Sequence, residues 1–143
     1  MKGHYYKFVI HCLFPILIGI TIYFQFRGFH FILPKQNYWL FFFSMKIPNS
    51  IKYNLPDGLW FYALLSTISI VWKEYSSVYF VRWIFLSIVL TYLSEILQAF
   101  YIIPGTFDWY DLLAYTIALF MFYFINLKEI NKQLLLTFKI TKT

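Results

Sequence analysis

Charge is scarce in this chain, and acidity scarcer: of 143 residues 13% are charged, six Asp or Glu against twelve Lys or Arg. A soluble domain carries about 25% charged residues, so there are too few here to build a polar exterior. Cysteine occurs once, at Cys12, which excludes an intramolecular disulfide and a cysteine-based metal cluster. No internal repeat and no low-complexity linker interrupts the sequence, so it reads as one domain, residues 1–143. These absences exclude an ordinary soluble enzyme domain, a disordered chain and a secreted disulfide scaffold.

Apolar residues fill the space instead. They make up 61% of the chain, with 25% aromatic. A membrane-spanning helix uses roughly 20 of them, so the supply suffices for about four. Four stretches meet the test of length and polarity: 8–26, 58–72, 83–101 and 109–127, the second somewhat short unless Asn54 to Asp57 joins it at the interface. The expected fold class is therefore all-α, an integral membrane bundle of four transmembrane helices. Between the first two lies an outer loop, 27–57, and after the last a cytoplasmic tail, 128–143. The first stretch follows Lys2 and Lys7 but lacks a small-x-small cleavage site, so it is expected to be a retained anchor. Within the outer loop, the run Trp39 to Phe43 is too short to span and is expected to lie in the membrane interface. Pro34, Pro48 and Pro56 are expected to break any long helix there.

Basic residues set the expected orientation. With four crossings, one side receives Lys2, Lys7, Lys73, Arg82, Lys128, Lys132, Lys139 and Lys142. The other receives Arg27, Lys35, Lys46 and Lys52. The richer side is cytoplasmic by the positive-inside tendency, which puts both termini in the cytoplasm of a cytoplasmic (inner) membrane. The net charge of +6 then reflects topology and anionic headgroups. No basic face interleaved with stacking aromatics points to nucleic acid.

The acidic residues carry the information. Glu74 and Glu129 fall on the lysine-rich side, whereas Asp57, Glu95, Asp108 and Asp111 fall at the outer ends of the second, third and fourth spans. A carboxylate at membrane depth costs a few kcal/mol, so it faces the bundle interior or water. Ser87, Thr91, Ser94, Glu95 and Gln98 share one face of the third span. Matching stripes run through Asp108, Asp111, Tyr115 and Ala118, through Tyr62, Ser66 and Ser69, and through His11, Ile18 and Gln25. Together they predict one polar seam shared by four helices and widening toward the outer face. Plainer readings stand beside this one. Small hydroxyl residues mediate helix packing. Asp108 has a second reading as a helix cap, with Asp111 completing a pair on the helix dipole, and Asp57 after Pro56 likewise. Glu95, inside its helix, has no capping role to fill. His11 reads as an interfacial or packing histidine.

Residues 94–118 resemble the signature of VanZ-like proteins, small multi-span bacterial membrane proteins. That signature has Glu-x-x-Gln at the end of one span and Asp-x-x-Asp opening the next, matched here by Glu95, Gln98, Asp108 and Asp111. The arginine the family places before Asp-x-x-Asp is missing from Pro104 to Phe107, and its later asparagine and glycine correspond to Tyr115 and Ala118. The resemblance implies a protein of the bacterial cell envelope and leaves the reaction undefined.

Three functions fit. The first is an accessory or binding protein with an acidic pocket at the outer face, formed by Asp57, Gln98, Asp108 and Tyr115 around Glu95 and Asp111. Its ligand would be a lipid-linked or glycopeptide-like molecule, a membrane lipid or a partner membrane protein. The second is an intramembrane enzyme on a lipid-linked substrate, with Glu95 as general acid or base and Asp111 in the catalytic pair. The third is a carrier of protons or divalent cations, for which oxygen ligands suit Mg²⁺ or Ca²⁺.

Overall fold

The computed structural model describes residues 2–27, 48–72 and 77–140. All the regular structure among them is helical. Helix α1 (Lys2–Phe8) runs through a π-helical turn (Val9–Leu13) into α2 (Phe14–Arg27), followed by α3 (Asn49–Trp72), α4 (Ser77–Ala99) and α5 (Trp109–Ile140). Four helical rods are long and apolar enough to cross a membrane: Tyr5–Phe24, Ile51–Trp72, Ser77–Ala99 and Trp109–Thr137. The segment Trp39 to Phe43, with Lys35 and Lys46, lies outside the described residues.

The π turn has a cause in the sequence. Pro15 carries no N–H, and its ring would press on the carbonyl of His11 one α-turn earlier. The turn widens, and the Phe14 amide bonds instead to the Val9 carbonyl.

The second span corrects the sequence-based boundary. It begins at Asn49, not at 58, and Pro56 sits inside it. The carbonyl of Pro48 receives the amides of Ile51 and Lys52, both at 3.1 Å, and so opens the helix. Pro56 removes one intrahelical hydrogen bond, but it is buried, and tertiary packing carries the helix through. Asp57 therefore lies in a helix interior and does not cap it. Two more boundaries shift: α4 starts at Ser77, and α5 continues to Ile140, so most of the expected tail is helix. Buried Gln133 donates to Glu129 Oε1 at 2.8 Å within this extension.

Packing centres on α3. It meets α2, α4 and α5, and α4 also meets α5, whereas among the described residues the first rod packs against α3 alone. The core is Phe61, Tyr62, Leu65, Ala118 and Phe122. A Cβ on Gly58 would stand 3.1 Å from the Ala114 carbonyl, which shows how closely the α3 and α5 backbones approach. Large apolar side chains such as Phe85, Leu90, Ile117, Phe120 and Phe124 point outward. Such a continuous apolar exterior suits lipid, not water.

Candidate functional site

Three helices bring acidic residues to one end of the fold. Asn54 and Asp57 come from α3, Glu95 and Gln98 from the last turns of α4, and Asp108, Asp111 and Tyr115 from the start of α5. Helix α4 ends in a Schellman turn: Ile102 N–H bonds to Leu97 O at 2.9 Å and Tyr101 N–H to Gln98 O at 3.0 Å. Tyr101 takes the left-handed position with φ 58°. This sharp stop leaves a connection of nine residues, 100–108, between the two acidic helix ends.

Asp108 is the N-cap of α5. Its Oδ1 accepts from the Tyr110 amide at 2.9 Å, the arrangement that satisfies an orphan donor of the first turn. Its other oxygen does different work. Asn54 Nδ2 donates to Asp108 Oδ2 at 3.1 Å and to Asp111 Oδ1 at 2.6 Å, joining both carboxylates to α3.

Glu95 lies deeper, 3% exposed. Tyr115 Oη donates to its Oε1 at a long 3.4 Å, while Oε2 is buried and has no hydrogen bond of good geometry among the described residues, with the Asp108 backbone as a polar neighbour of the carboxyl. Asn54 Oδ1 is in the same condition. Glu95 and Tyr115 both lie within electrostatic reach of Asp57 and Asp111. Gln98, one turn beyond Glu95, packs beneath the connection: a Cβ on Gly105 would stand 2.6 Å from the Gln98 side chain.

The expected residues Asp57, Glu95, Gln98, Asp108, Asp111 and Tyr115 thus share one end. Asn54 was not anticipated. Its spacing of three from Asp57 places both on one helical face, but that signal is readable only once 49–57 is known to be helical.

Among the described residues no group of three or more His, Cys, Asp or Glu is placed to hold a metal ion, and Asp108 and Asp111 are bridged by the Asn54 amide. One expectation is corrected here, the single polar seam. Ser87 and Ser94 bond to carbonyls of their own helix, at Trp83 and Thr91. Ser66, Ser69 and His11 line a separate polar cavity toward the other end, while the first rod packs on α3 alone. The apolar core interrupts what was expected to be continuous.

Comparison of the chain with protein-family models, with curated proteins and with solved structures gave no match.

Proposed function

We propose that this is a multi-pass membrane protein whose acidic end is a binding site for a cationic or hydroxyl-rich group. The observation that carries the reading is the state of Glu95. It is a buried carboxyl with an oxygen that has no hydrogen bond of good geometry among the described residues, at the same end of the fold as the similarly unsatisfied Asn54 Oδ1. Burying such acceptors without donors costs about 1–3 kcal/mol each, so they mark either a strained fold or a site completed by a donor. An amine or a hydroxyl supplies the donor, and an amine also answers the surrounding negative charge.

The lysine distribution supports an outward-facing acidic end and cytoplasmic termini. The match of Glu95, Gln98, Asp108 and Asp111 to the VanZ-like signature favours a cell-envelope role, with a lipid-linked or glycopeptide-like molecule or a partner helix as ligand. An intramembrane enzyme using Glu95 and Asp111 is less well supported. Asp111 is held by Asn54, and among the described residues no histidine or cysteine forms a group with the cluster's carboxylates.

The test is mass spectrometry of molecules retained by protein purified in mild detergent, comparing the native chain with Glu95→Gln. The native protein is expected to retain an amine- or hydroxyl-rich envelope component that Glu95→Gln releases, with thermal unfolding little changed. Identical retained molecules in both proteins would overturn the reading. Turnover of a lipid-linked substrate that Glu95→Gln abolishes would replace it with the enzyme.

A further inference from the structure

The opposite end of the fold has a second polar cavity, of about 140 Å³, lined by Lys7 and His11 from the first rod, Ser66 and Ser69 from α3, and Asn126 and Glu129 from α5. It differs from the acidic end in carrying charge of both signs. Lys7 and Glu129 face the same space from different helices, and no ion pair joins them. Ser66 is 3% exposed, and its hydroxyl makes no hydrogen bond of good geometry; its polar neighbour is the Tyr62 hydroxyl, which already lies 2.6 Å from His11 Nδ1. A helical serine ordinarily satisfies itself on the carbonyl one turn back. This one does not, although Thr67 beside it does, at 2.8 Å to Ala63 O.

His11 connects this cavity to something larger. It also lines an apolar groove of about 650 Å³ that runs along α3 between the first rod and α5. The groove exists because those two rods do not pack on each other. Its walls include Phe14 and Ile18 on one side and Ile117 and Met121 on the other. From Tyr110 to Met121 the α5 wall is about 16 Å long at 1.5 Å per residue. That length suits one extended acyl chain over about half the hydrocarbon thickness of a bilayer.

We propose that the cavity and groove together bind one zwitterionic glycerophospholipid of the phosphoethanolamine class. The headgroup occupies the cavity and one acyl chain the groove. Lys7, with the Ser66 and Ser69 hydroxyls, faces the phosphate, and Glu129 faces the ammonium. Charge complementarity selects the class: a zwitterion answers both Lys7 and Glu129, whereas a purely anionic headgroup answers Lys7 and leaves Glu129 facing it without a cation. Depth agrees as well. Lys7 sits near the start of the first apolar rod, Glu129 lies about 30 Å along α5 from Trp109 at 1.5 Å per residue, close to one hydrocarbon thickness, and the groove lies between Glu129 and the acidic end. The headgroup cavity shares none of its six polar residues with the acidic end, although the far end of the groove reaches Asn54 there.

The experiment measures thermal unfolding of the full chain in detergent with added dioleoyl phosphatidylethanolamine, dioleoyl phosphatidylglycerol, or soluble phosphoethanolamine. Lipid occupancy is read in parallel by native mass spectrometry. Phosphatidylethanolamine is expected to raise the midpoint clearly more than phosphatidylglycerol, and phosphoethanolamine to leave it unchanged. Glu129→Gln removes the preference between the two lipids, and Lys7→Gln weakens the response to both. Ser66→Ala is the variant that does not depend on a fragile fold. It is expected to unfold no earlier than the native chain without lipid, yet to respond less to phosphatidylethanolamine. Ile117→Trp fills the groove and lowers occupancy by both lipids. Glu95→Gln leaves the lipid response intact, so failure at one end is separable from failure at the other. Equal responses to the two lipids, a preference that survives both Glu129→Gln and Lys7→Gln, or a response to phosphoethanolamine equal to that of the lipid would each overturn the proposal.

Discussion

The side-chain amide of Asn54 lies 2.6 Å from Asp111 Oδ1, and the same nitrogen reaches Asp108 Oδ2 at 3.1 Å. One donor from α3 thus holds two carboxylates of α5 that would otherwise repel each other across a single helical turn. Asn54 is 4% exposed, so the arrangement is shielded from the water that would weaken it.

Removing that donor is expected to be costly. Asn54→Ala leaves two neighbouring carboxylates without their shared partner and should destabilise the protein by about 1–3 kcal/mol. Asn54→Asp keeps the shape but places a third carboxylate against the pair, and should be worse than alanine. Thermal unfolding in detergent, with the two variants side by side, checks the order. Asn54→Asp proving the milder change would show that the bridge is not electrostatic.

Asp108 has two roles that can be separated by choice of replacement. Asp108→Ser retains an oxygen for the Tyr110 amide and loses the contact to Asn54, whereas Asp108→Ala loses both. The difference between the two variants should be about 1 kcal/mol, the usual value of a helix N-cap. Chemical or thermal denaturation of the two proteins gives that difference directly. Equal stabilities would mean that the cap contributes nothing here.

Close approaches, to a side chain at one position and to a backbone at the other, make two glycines intolerant of side chains. At Gly105, with φ 144°, a Cβ would meet Gln98 at 2.6 Å, and the backbone conformation itself disfavours any other residue. Gly105→Ala should destabilise by roughly 1–2 kcal/mol and disturb the connection over Glu95. At Gly58 the obstruction is the Ala114 backbone, which cannot rotate away. Gly58→Val should separate α3 from α5 and lower the unfolding midpoint more than Gly58→Ala does. Gly58→Val unfolding at the native temperature would contradict the close packing of these helices.

Sidedness is testable with the cysteine count in hand. Cys12 is buried and is the sole cysteine, so a Cys12→Ala background allows single labels elsewhere. Thr106→Cys, exposed near the acidic end, should react with an impermeant maleimide in intact cells. Lys132→Cys, exposed at the other end, should react only after the membrane is opened. The reverse pattern would turn the acidic end toward the cytoplasm and change the ligands available to it.

The helices were legible because long apolar runs leave few alternatives, and Glu95 was legible because a carboxyl inside such a run is expensive to place elsewhere. What escaped has one physical origin. Proline and lysine were read by their local preferences, and tertiary packing overrode them. Pro56 was expected to end a helix, yet α3 passes through it, and with that expectation went Asn54, the residue that joins the acidic helices. Lys128 and Lys132 suggested a solvated tail, but Ile130 packs on the core and Gln133 is buried, at helical spacing from one another. The stripes were correctly periodic on each helix, but periodicity does not say which helices are neighbours. Among the described residues the first rod packs on α3 alone, and its Lys7 and His11 line a different cavity from Glu95.

That isolation gives the last prediction its force. The first rod is held to the rest of the protein by its contact with α3, and within that contact one polar link stands out: His11 Nδ1 and Tyr62 Oη are 2.6 Å apart, with their rings 6.1 Å between centroids. Tyr62 is 7% exposed and belongs to the core, so the bond ties the widened turn before Pro15 directly to the packed interior. A bond in this setting should contribute about 0.5–1.5 kcal/mol. Single replacements alone do not measure it, because each also alters packing, so His11→Phe and Tyr62→Phe belong in a double-mutant cycle. A coupling of about 1 kcal/mol is expected. Hydrogen exchange should rise over residues 2–27 in either single variant while α4 and α5 stay protected. Zero coupling, or an increase spread evenly over all four rods, would mean that apolar packing on α3 holds the first rod without the histidine.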